Sequence, residues 1–215
     1  KEKVKLQPEN VNYGLVGYPV LMTADIVLYK AEAVPVGEDQ LPHLELAREI
    51  TRRFNNLFGE TFPEPNAKLT NFTMVLGLDG KEKMSKQLGN DIELALSEEE
   101  TGARVMEAVT DPARRYRDDP GHPEICNVYR LHGYFSPFGQ DDLARDCRAA
   151  KIGCVECKKL LAQEINATLK PFRERRAVLA DKPQYIKDVL ADGAARARAI
   201  ARETIKEVKQ NMGLL

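Results

Sequence analysis

Apolar positions change their period along this chain. Over 14–31, Leu15, Tyr18, Met22, Ile26 and Tyr29 recur every three or four residues, which predicts a helix. Pro19 belongs in its first turn or at a kink, because proline lacks the amide a helix interior needs. Ala33-Val34-Pro35-Val36 is a short apolar run closed by Gly37 and reads as a strand. Leu44, Ala47, Ile50 and Phe54 form the inner face of an amphipathic helix over 40–58. Residues 60–71, with two prolines and mostly polar neighbours, read as loop. Phe72-Thr73-Met74-Val75-Leu76 reads as the next strand. Helix, strand, helix, strand is the grammar of an α/β piece.

Beyond Asn90 every periodic segment is helical. Ser97-Glu98-Glu99-Glu100 is a capping-box start for a helix to about Thr110. Residues 111–123 form a proline- and arginine-rich connection, and helices follow at 124–135, 140–150, 154–180 and 184–212. Pro171 is expected to kink or divide the third of these. The chain thus divides into an α/β part, 1–96, and an all-α part, 97–215, with no internal repeat or low-complexity tract.

At 215 residues there is room for one large domain or two modest ones. A hydrophobic share of 43% and a net charge of −1 describe an ordinary globular protein, not a general nucleic-acid coat. Local basic faces remain open. No apolar run approaches the roughly 20 residues of a membrane helix, and no signal-peptide pattern is present. The expected compartment is the cytoplasm, with no membrane partner. The chain starts at Lys1-Glu2-Lys3 without methionine, which suggests a processed product or a fragment.

The candidate chemistry begins with Lys83-Met84-Ser85-Lys86, in the glycine-punctuated loop that opens Gly77-Leu78-Asp79-Gly80. Lysine and serine donors on a loop suit the charge that develops on an attacked phosphate. A lysine-rich solvated loop would look the same. Tyr18, Met22 and Asp25, at i, i+4 and i+7, share one helix face and offer a phenol, a thioether and a carboxylate. An ordinary amphipathic helix explains that spacing too. Gly37-Glu38-Asp39-Gln40 lies at a strand-to-helix turn, where α/β proteins bind ligands and where helices are also simply capped.

In this order the stretches Tyr18-Pro19-Val20-Leu21-Met22-Thr23-Ala24-Asp25-Ile26, Val34-Pro35-Val36-Gly37-Glu38-Asp39-Gln40, His43-Leu44-Glu45-Leu46 and Lys83-Met84-Ser85-Lys86 closely resemble bacterial tryptophanyl-tRNA synthetases, a class I aminoacyl-tRNA synthetase family. The resemblance covers essentially the whole chain and is strongest over 14–58. It implies the second half of a Rossmann-like catalytic domain at 1–96, carrying the Lys-Met-Ser-Lys loop. A helical anticodon-binding domain would follow at 97–215, its last helix packing back on the catalytic part. It implies ATP-dependent activation of tryptophan and its ligation to tRNA(Trp), with Mg²⁺ accompanying ATP, by a homodimer when intact. Asp25 would accept the indole N–H and Met22 would pack on the ring. Tyr18 and Gln40 would hold the polar end of the amino acid, and Gly37 and Asp39 the ribose. Met74 and Met84 would offer backbone groups to adenine, and Lys83, Ser85 and Lys86 would stabilise the departing pyrophosphate. Tyrosyl-tRNA synthetases share the pocket helix but typically carry Gln where Met22 stands, so tyrosyl specificity is the disfavoured alternative. A buried acceptor rejects a ligand that lacks the matching donor.

Two departures stand out. Gln87 follows Lys86 where the family usually has a second serine, which puts the fine shape of the loop in doubt. The His-Ile-Gly-His type of signature that class I enzymes need would precede Lys1. The expectation is a C-terminal fragment that forms no adenylate alone. The other alternative is a non-catalytic module that binds tRNA or protein.

Cys126, Cys147, Cys154 and Cys157 follow a C-x20-C-x6-C-x2-C pattern with no cysteine elsewhere. In a cytosolic chain such a cluster points to metal ligands rather than disulfides. Small buried hydrophobes are the plainer reading. A tetrahedral zinc site and a [4Fe–4S] cluster both fit, and spacing does not separate them. The resemblance implies the cluster, because some bacterial tryptophanyl-tRNA synthetases carry one in the anticodon-binding domain on a similar pattern. Basic groups at Arg114, Arg115 and Arg117 and at Arg173, Arg175 and Arg176 are candidate tRNA-backbone contacts. Those at Arg196, Arg198 and Arg202 read as a solvated helix face. His43 reads as a surface or packing residue.

Overall fold

In a computed structural model, residues 12–69, 74–135 and 139–215 are described. The chain forms two compact units, one from Lys1–Thr73 with Ile186–Leu215, the other from Met74–Tyr185. This cut by compactness differs from the change of character at 96/97. Elements are mostly helical with a small parallel sheet, an α/β part preceding an all-α part.

The first unit opens with α1 (Tyr13–Leu28), capped by the Asn12 side chain, which accepts the Leu15 amide at 3.3 Å. Pro19 lies inside α1 rather than in its first turn, and the Pro19 carbonyl accepts the hydroxyl of buried Thr23 at 2.9 Å. Strand β1 (Ala33–Pro35) leads through a 3₁₀ turn (Glu38–Gln40) into α2 (Leu41–Phe58). β1 pairs in parallel with β2 (Asn66–Lys68), in the register Ala33↔Asn66, Val34↔Ala67 and Pro35↔Lys68, so α2 is the crossover of a βαβ unit. Ile26, Leu44 and Ala47 are buried between α1 and α2, with Met22, Val34 and Val36 packed on them. Phe54 stacks at 5.0 Å on Phe58 and on Phe62 instead of joining that cluster. After α2 the Asn55 side chain accepts the Thr61 and Phe62 amides, both at 3.1 Å, and so shapes the return to β2.

Two expectations about strands are corrected. Residues 60–71 contain β2, which lacks apolar alternation and is exposed at all three positions. It exists because its backbone completes the ladder to β1. Of the strand expected at 72–76, Phe72 and Thr73 lie outside the described residues, and 74–76 contribute only a single antiparallel bridge, Leu76 with Lys83.

The second unit contains α3 (Glu98–Glu107), α4 (Asn127–Phe135), α5 (Gln140–Arg148) and α6 (Cys154–Ala180). Ser97 and Glu100 form the expected capping box, with bonds of 3.1 and 2.8 Å. α6 packs on α3 and α4 and buries Leu161 and Ile165 against Val105, Val128 and Leu131. It runs unbroken through Pro171, so the expected division is absent. α7 (Pro183–Asn211) belongs from Ile186 onward to the first unit. There Glu207 pairs with Lys30 at 2.7 Å, and the Asn211 amide donates to Thr61 at 2.8 Å. Among the described residues no helix is long and apolar enough to cross a membrane.

Candidate functional site

In the first unit, α1 presents Tyr18 and Asp25 exposed, while Met22 leans into the Ile26–Leu44–Ala47 cluster. Met22 is therefore core as well as a candidate pocket floor. A continuous hydrogen-bond chain joins Tyr18 to the turn before α2. The Tyr18 hydroxyl lies 3.0 Å from His43 Nε2 and 2.8 Å from Nδ1. His43 Nδ1 lies 3.1 Å from Gln40 Oε1, and Gln40 Nε2 donates to Asp39 Oδ2 at 2.9 Å. One tautomer satisfies the whole chain. Nδ1–H donates to Gln40, and Nε2 accepts from the tyrosine. The rings of Tyr18 and His43 also meet edge-on, with centroids 4.9 Å apart. His43 thus sits between two candidate residues, a role that its sequence position did not suggest. Its place one helical step beyond Gln40 was the available signal. Gly37 precedes the 3₁₀ turn, and its carbonyl accepts the Gln40 amide at 3.0 Å.

In the second unit, residues 77–90 fold back on themselves. The Gly77 amide donates to the Glu82 carbonyl at 2.9 Å, and the Met84 amide donates to Val75 at 2.9 Å. Lys83 and Lys86 are exposed, and Ser85 is half-buried. The Ser85 hydroxyl accepts the Gln87 amide at 3.2 Å and caps a 3₁₀ turn (Lys86–Leu88). Gln87 therefore enters the loop through its backbone. The Met74 carbonyl accepts the Tyr134 hydroxyl at 3.4 Å. A nucleotide contact through the Met84 amide must displace the bond to Val75.

Asp79 and Asn90 close this loop. Asp79 Oδ1 accepts the Lys81 and Glu82 amides at 2.9 and 3.1 Å, and its Oδ2 accepts Asn90 Nδ2 at 2.8 Å. The Lys81 amide first, then the Asn90 amide, hold the Asp79 carboxyl below the usual aspartate range. From α3, the Arg104 guanidinium donates to the Gly89 and Asp91 carbonyls. From the start of α4, buried Asn127 donates to the Gly77 carbonyl at 2.8 Å.

The cysteines form a second constellation within the same unit. Cys126 precedes α4, Cys147 lies on α5, and Cys154 and Cys157 occupy the first turn of α6. All of them line one small cavity, together with Asp111, Arg114, Val128, Leu143 and Ile152. Among the described residues, no three or more His, Cys, Asp or Glu side chains gather closely enough to hold a single metal ion. The cysteines ring a common space rather than a common point. Burial pushes the Cys126 and Cys147 thiols up. Burial, then the neighbouring cysteines, push Cys157 up to about 12. Such thiols stay neutral unless a cation takes the place of their protons.

The wall of this cavity is polar where it meets sulfur. Arg114 Nη1 lies 3.9 Å from Cys147 Sγ and 4.0 Å from Cys154 Sγ. Arg114 Nε is buried without a hydrogen-bond partner. A Cβ at Gly121 would fall 2.4 Å from Cys147 Sγ, so only glycine fits there. Buried His132 places Nδ1 2.7 Å from Glu164 and Nε2 3.5 Å from Cys157 Sγ. The Arg114 guanidinium, with Nη1 within 4.0 Å of two of the sulfurs, suits negative charge carried on them.

Of the basic groups, Arg173 is internal to the second unit. It donates to the Leu94 carbonyl at 3.3 Å, Asn166 Oδ1 at 2.8 Å and Thr101 Oγ1 at 2.7 Å. Arg175 and Arg176 are exposed.

Comparison with known proteins gives consistent matches. The family model for tRNA synthetases class I (W and Y) matches residues 1–170. The chain is 46% identical over 208 residues to a tryptophan–tRNA ligase of Aquifex aeolicus, covering 96% of this chain and 52% of that protein. It is 47% identical over 211 residues to that of Deinococcus radiodurans, covering 97% and 64%. The structure of Campylobacter jejuni tryptophanyl-tRNA synthetase complexed with ADP and tryptophan superposes with a TM-score of 0.80 at 36% identity, over 99% of this chain and 66% of that one. The chain therefore spans between half and two-thirds of the length of these relatives.

Proposed function

The chain belongs to the class I tRNA synthetases (W and Y), and we propose that the whole protein activates tryptophan with ATP and ligates it to tRNA(Trp). The observation that carries this reading is the likeness, over 99% of the chain, to a synthetase solved with ADP and tryptophan. The hydrogen-bond chain from Tyr18 through His43 and Gln40 to Asp39 adds support. It pre-orients a phenol and an amide that would grip the amino and carboxylate groups of the substrate.

In the first step, a tryptophan carboxylate oxygen attacks the α-phosphorus of Mg²⁺-bound ATP, and pyrophosphate leaves with the electrons of the broken P–O bond. Lys83, Ser85 and Lys86 neutralise charge on the leaving group. Asp25 accepts the indole N–H, and Met22 packs against the ring. Gly37 and Asp39 hold the ribose, and Met74 and Met84 meet adenine through their backbones. In the second step a terminal tRNA hydroxyl attacks the acyl carbon and releases AMP. Residues 1–96 supply the catalytic part and 97–215 the anticodon-binding part, in a cytoplasmic homodimer.

In this reading Cys126, Cys147, Cys154 and Cys157 would hold a [4Fe–4S] cluster in their shared cavity. The Arg114 guanidinium close to Cys147 and Cys154, and the close approach of Cys147 Sγ that Gly121 permits, support it. The cluster would fasten the start of α4 to the α5–α6 turn. Zinc is the alternative. Iron and sulfide analysis of anaerobically purified protein separates them, at about four of each per chain for the cluster.

The full-length protein is expected to catalyse ATP–pyrophosphate exchange that depends on tryptophan and not on tyrosine. Asp25→Ala should raise the tryptophan KM by on the order of tenfold or more while leaving the ATP KM nearly unchanged, because it removes one ligand-specific acceptor. Unaltered tryptophan kinetics in that variant would sink the pocket assignment.

A further inference from the structure

We propose that Asn90, outside the Lys-Met-Ser-Lys motif, is the positioning residue that sets its backbone shape, with Asp79 as its partner. The inference rests on the proposed reaction for its functional consequence, but its geometry is independent of it. Asn90 is buried at 6% exposure beside a loop whose lysines are exposed. Its side-chain oxygen accepts the Ser85 amide at 2.8 Å. Its side-chain nitrogen donates to Asp79 Oδ2 at 2.8 Å and approaches the Lys83 carbonyl at 3.4 Å. Its own carbonyl accepts the Leu78 amide at 2.7 Å.

One amide group therefore holds the peptide groups on both sides of Met84. These torsions decide where the Lys83 ammonium and the Ser85 hydroxyl point. Gly77 belongs to the same device. A Cβ there would fall 2.2 Å from Asn90 Nδ2, so any larger residue would expel the asparagine side chain. The pairing with Asp79 requires a donor at 90 and an acceptor at 79. A carboxylate at 90 would face another carboxylate, with both in the acceptor role. Exchanging the two residues restores one donor and one acceptor between 79 and 90, though not the donor that faces the Lys83 carbonyl.

The test uses the full-length protein and the variants N90A, N90D and D79N/N90D. Backbone hydrogen exchange should accelerate on the order of tenfold or more at the Ser85 amide in N90A, which loses its side-chain acceptor. The Leu78 amide, bonded to the backbone carbonyl of residue 90, should keep its protection. In tryptophan-dependent ATP–pyrophosphate exchange, N90A and N90D should lower kcat by about tenfold or more with the tryptophan KM within about twofold, and D79N/N90D should recover part of the loss relative to N90D. A merely structural role predicts a lower melting temperature with no such split between kcat and KM. The proposal is overturned if Ser85 exchange in N90A is unchanged, or if the exchanged pair is no better than N90D. If the wild-type protein shows no tryptophan-dependent exchange, the activity reading fails, and the amide measurement still decides the role of Asn90. Should N90A not fold, N90D against D79N/N90D gives the same decision by rescue.

Discussion

Arg173 offers a sharp test, because its sequence neighbours and its structural contacts point to opposite roles. As part of an Arg-x-Arg-Arg cluster it looks like a phosphate contact. In the folded unit it ties α6 to Leu94 before α3 and to Thr101 on α3, and is held in place by Asn166 of α6 itself. Thr101 is fully buried, at 0% exposure, so Arg173→Ala leaves its hydroxyl without this donor. Hydrogen bonds from a charged group are worth about 1.5–3 kcal/mol each when one partner is deleted, but they share one half-exposed side chain and do not add in full. A net loss of about 3 kcal/mol is the reasonable figure. At roughly 3 °C per kcal/mol for a chain of this length, the melting temperature should fall by about 9 °C. Arg173→Lys should recover little, since one ammonium cannot reproduce the fork. The companion assay is the salt dependence of tRNA binding by the full-length protein. A phosphate contact removed would lower the log–log slope by about 0.7–0.9, whereas a strut removed leaves the slope unchanged. A stable Arg173→Ala protein with a reduced slope would refute the strut and return Arg173 to the tRNA surface.

Two further outcomes follow from buried titratable groups. Burial raises the Asp111 carboxyl, but the His122 side chain and the Ala113 and His122 amides outweigh it and hold the pKa below the ordinary aspartate value. A depressed folded value means that the stabilisation is complete above the unfolded value and is lost as pH falls through the folded one. The stability gap between wild type and Asp111→Asn should be constant above about pH 5 and close below about pH 3.9, as read by thermal melts across pH. In protein stripped of any bound metal and kept reduced, Cys157, pushed up to about 12, should alkylate with iodoacetamide at pH 8 on the order of tenfold or more slower than an ordinary cysteine. Rapid labelling of half-buried Cys157 in folded protein would contradict its raised thiol.

The sequence displayed what depends on local pattern. The helical periods located α1, α2 and α4 to α7 to within a few residues, and the Ser97–Glu100 capping box is formed as read. What escaped was nonlocal. Asn66-Ala67-Lys68 carries no strand pattern, because its identity comes from a ladder to residues 33 positions earlier. Pro171 does not divide α6, because the packing of that helix on α3 and α4 outweighs one lost amide. Arg114 and His132 reach the cysteines from other elements, and nothing near them in the chain marks that destination. Of the candidate residues, the spacing of Tyr18, Met22 and Asp25 was visible. That His43 links Tyr18 to Gln40 was not, since it depends on how α1 meets the start of α2.

The discontinuous make-up of the first unit bears on the order of events at the ribosome. Residues 74–185 form one uninterrupted stretch, and its core can close as soon as that stretch has emerged. The segment before it must wait. Lys30 meets Glu207 across 177 residues, and Thr61 meets Asn211 across 150. Both partners lie on α7, which is made after that stretch. The α1–α2 segment is thus completed only after the stretch that follows it, and until then it holds Ile26, Leu44 and Ala47 in a nascent state open to chaperones.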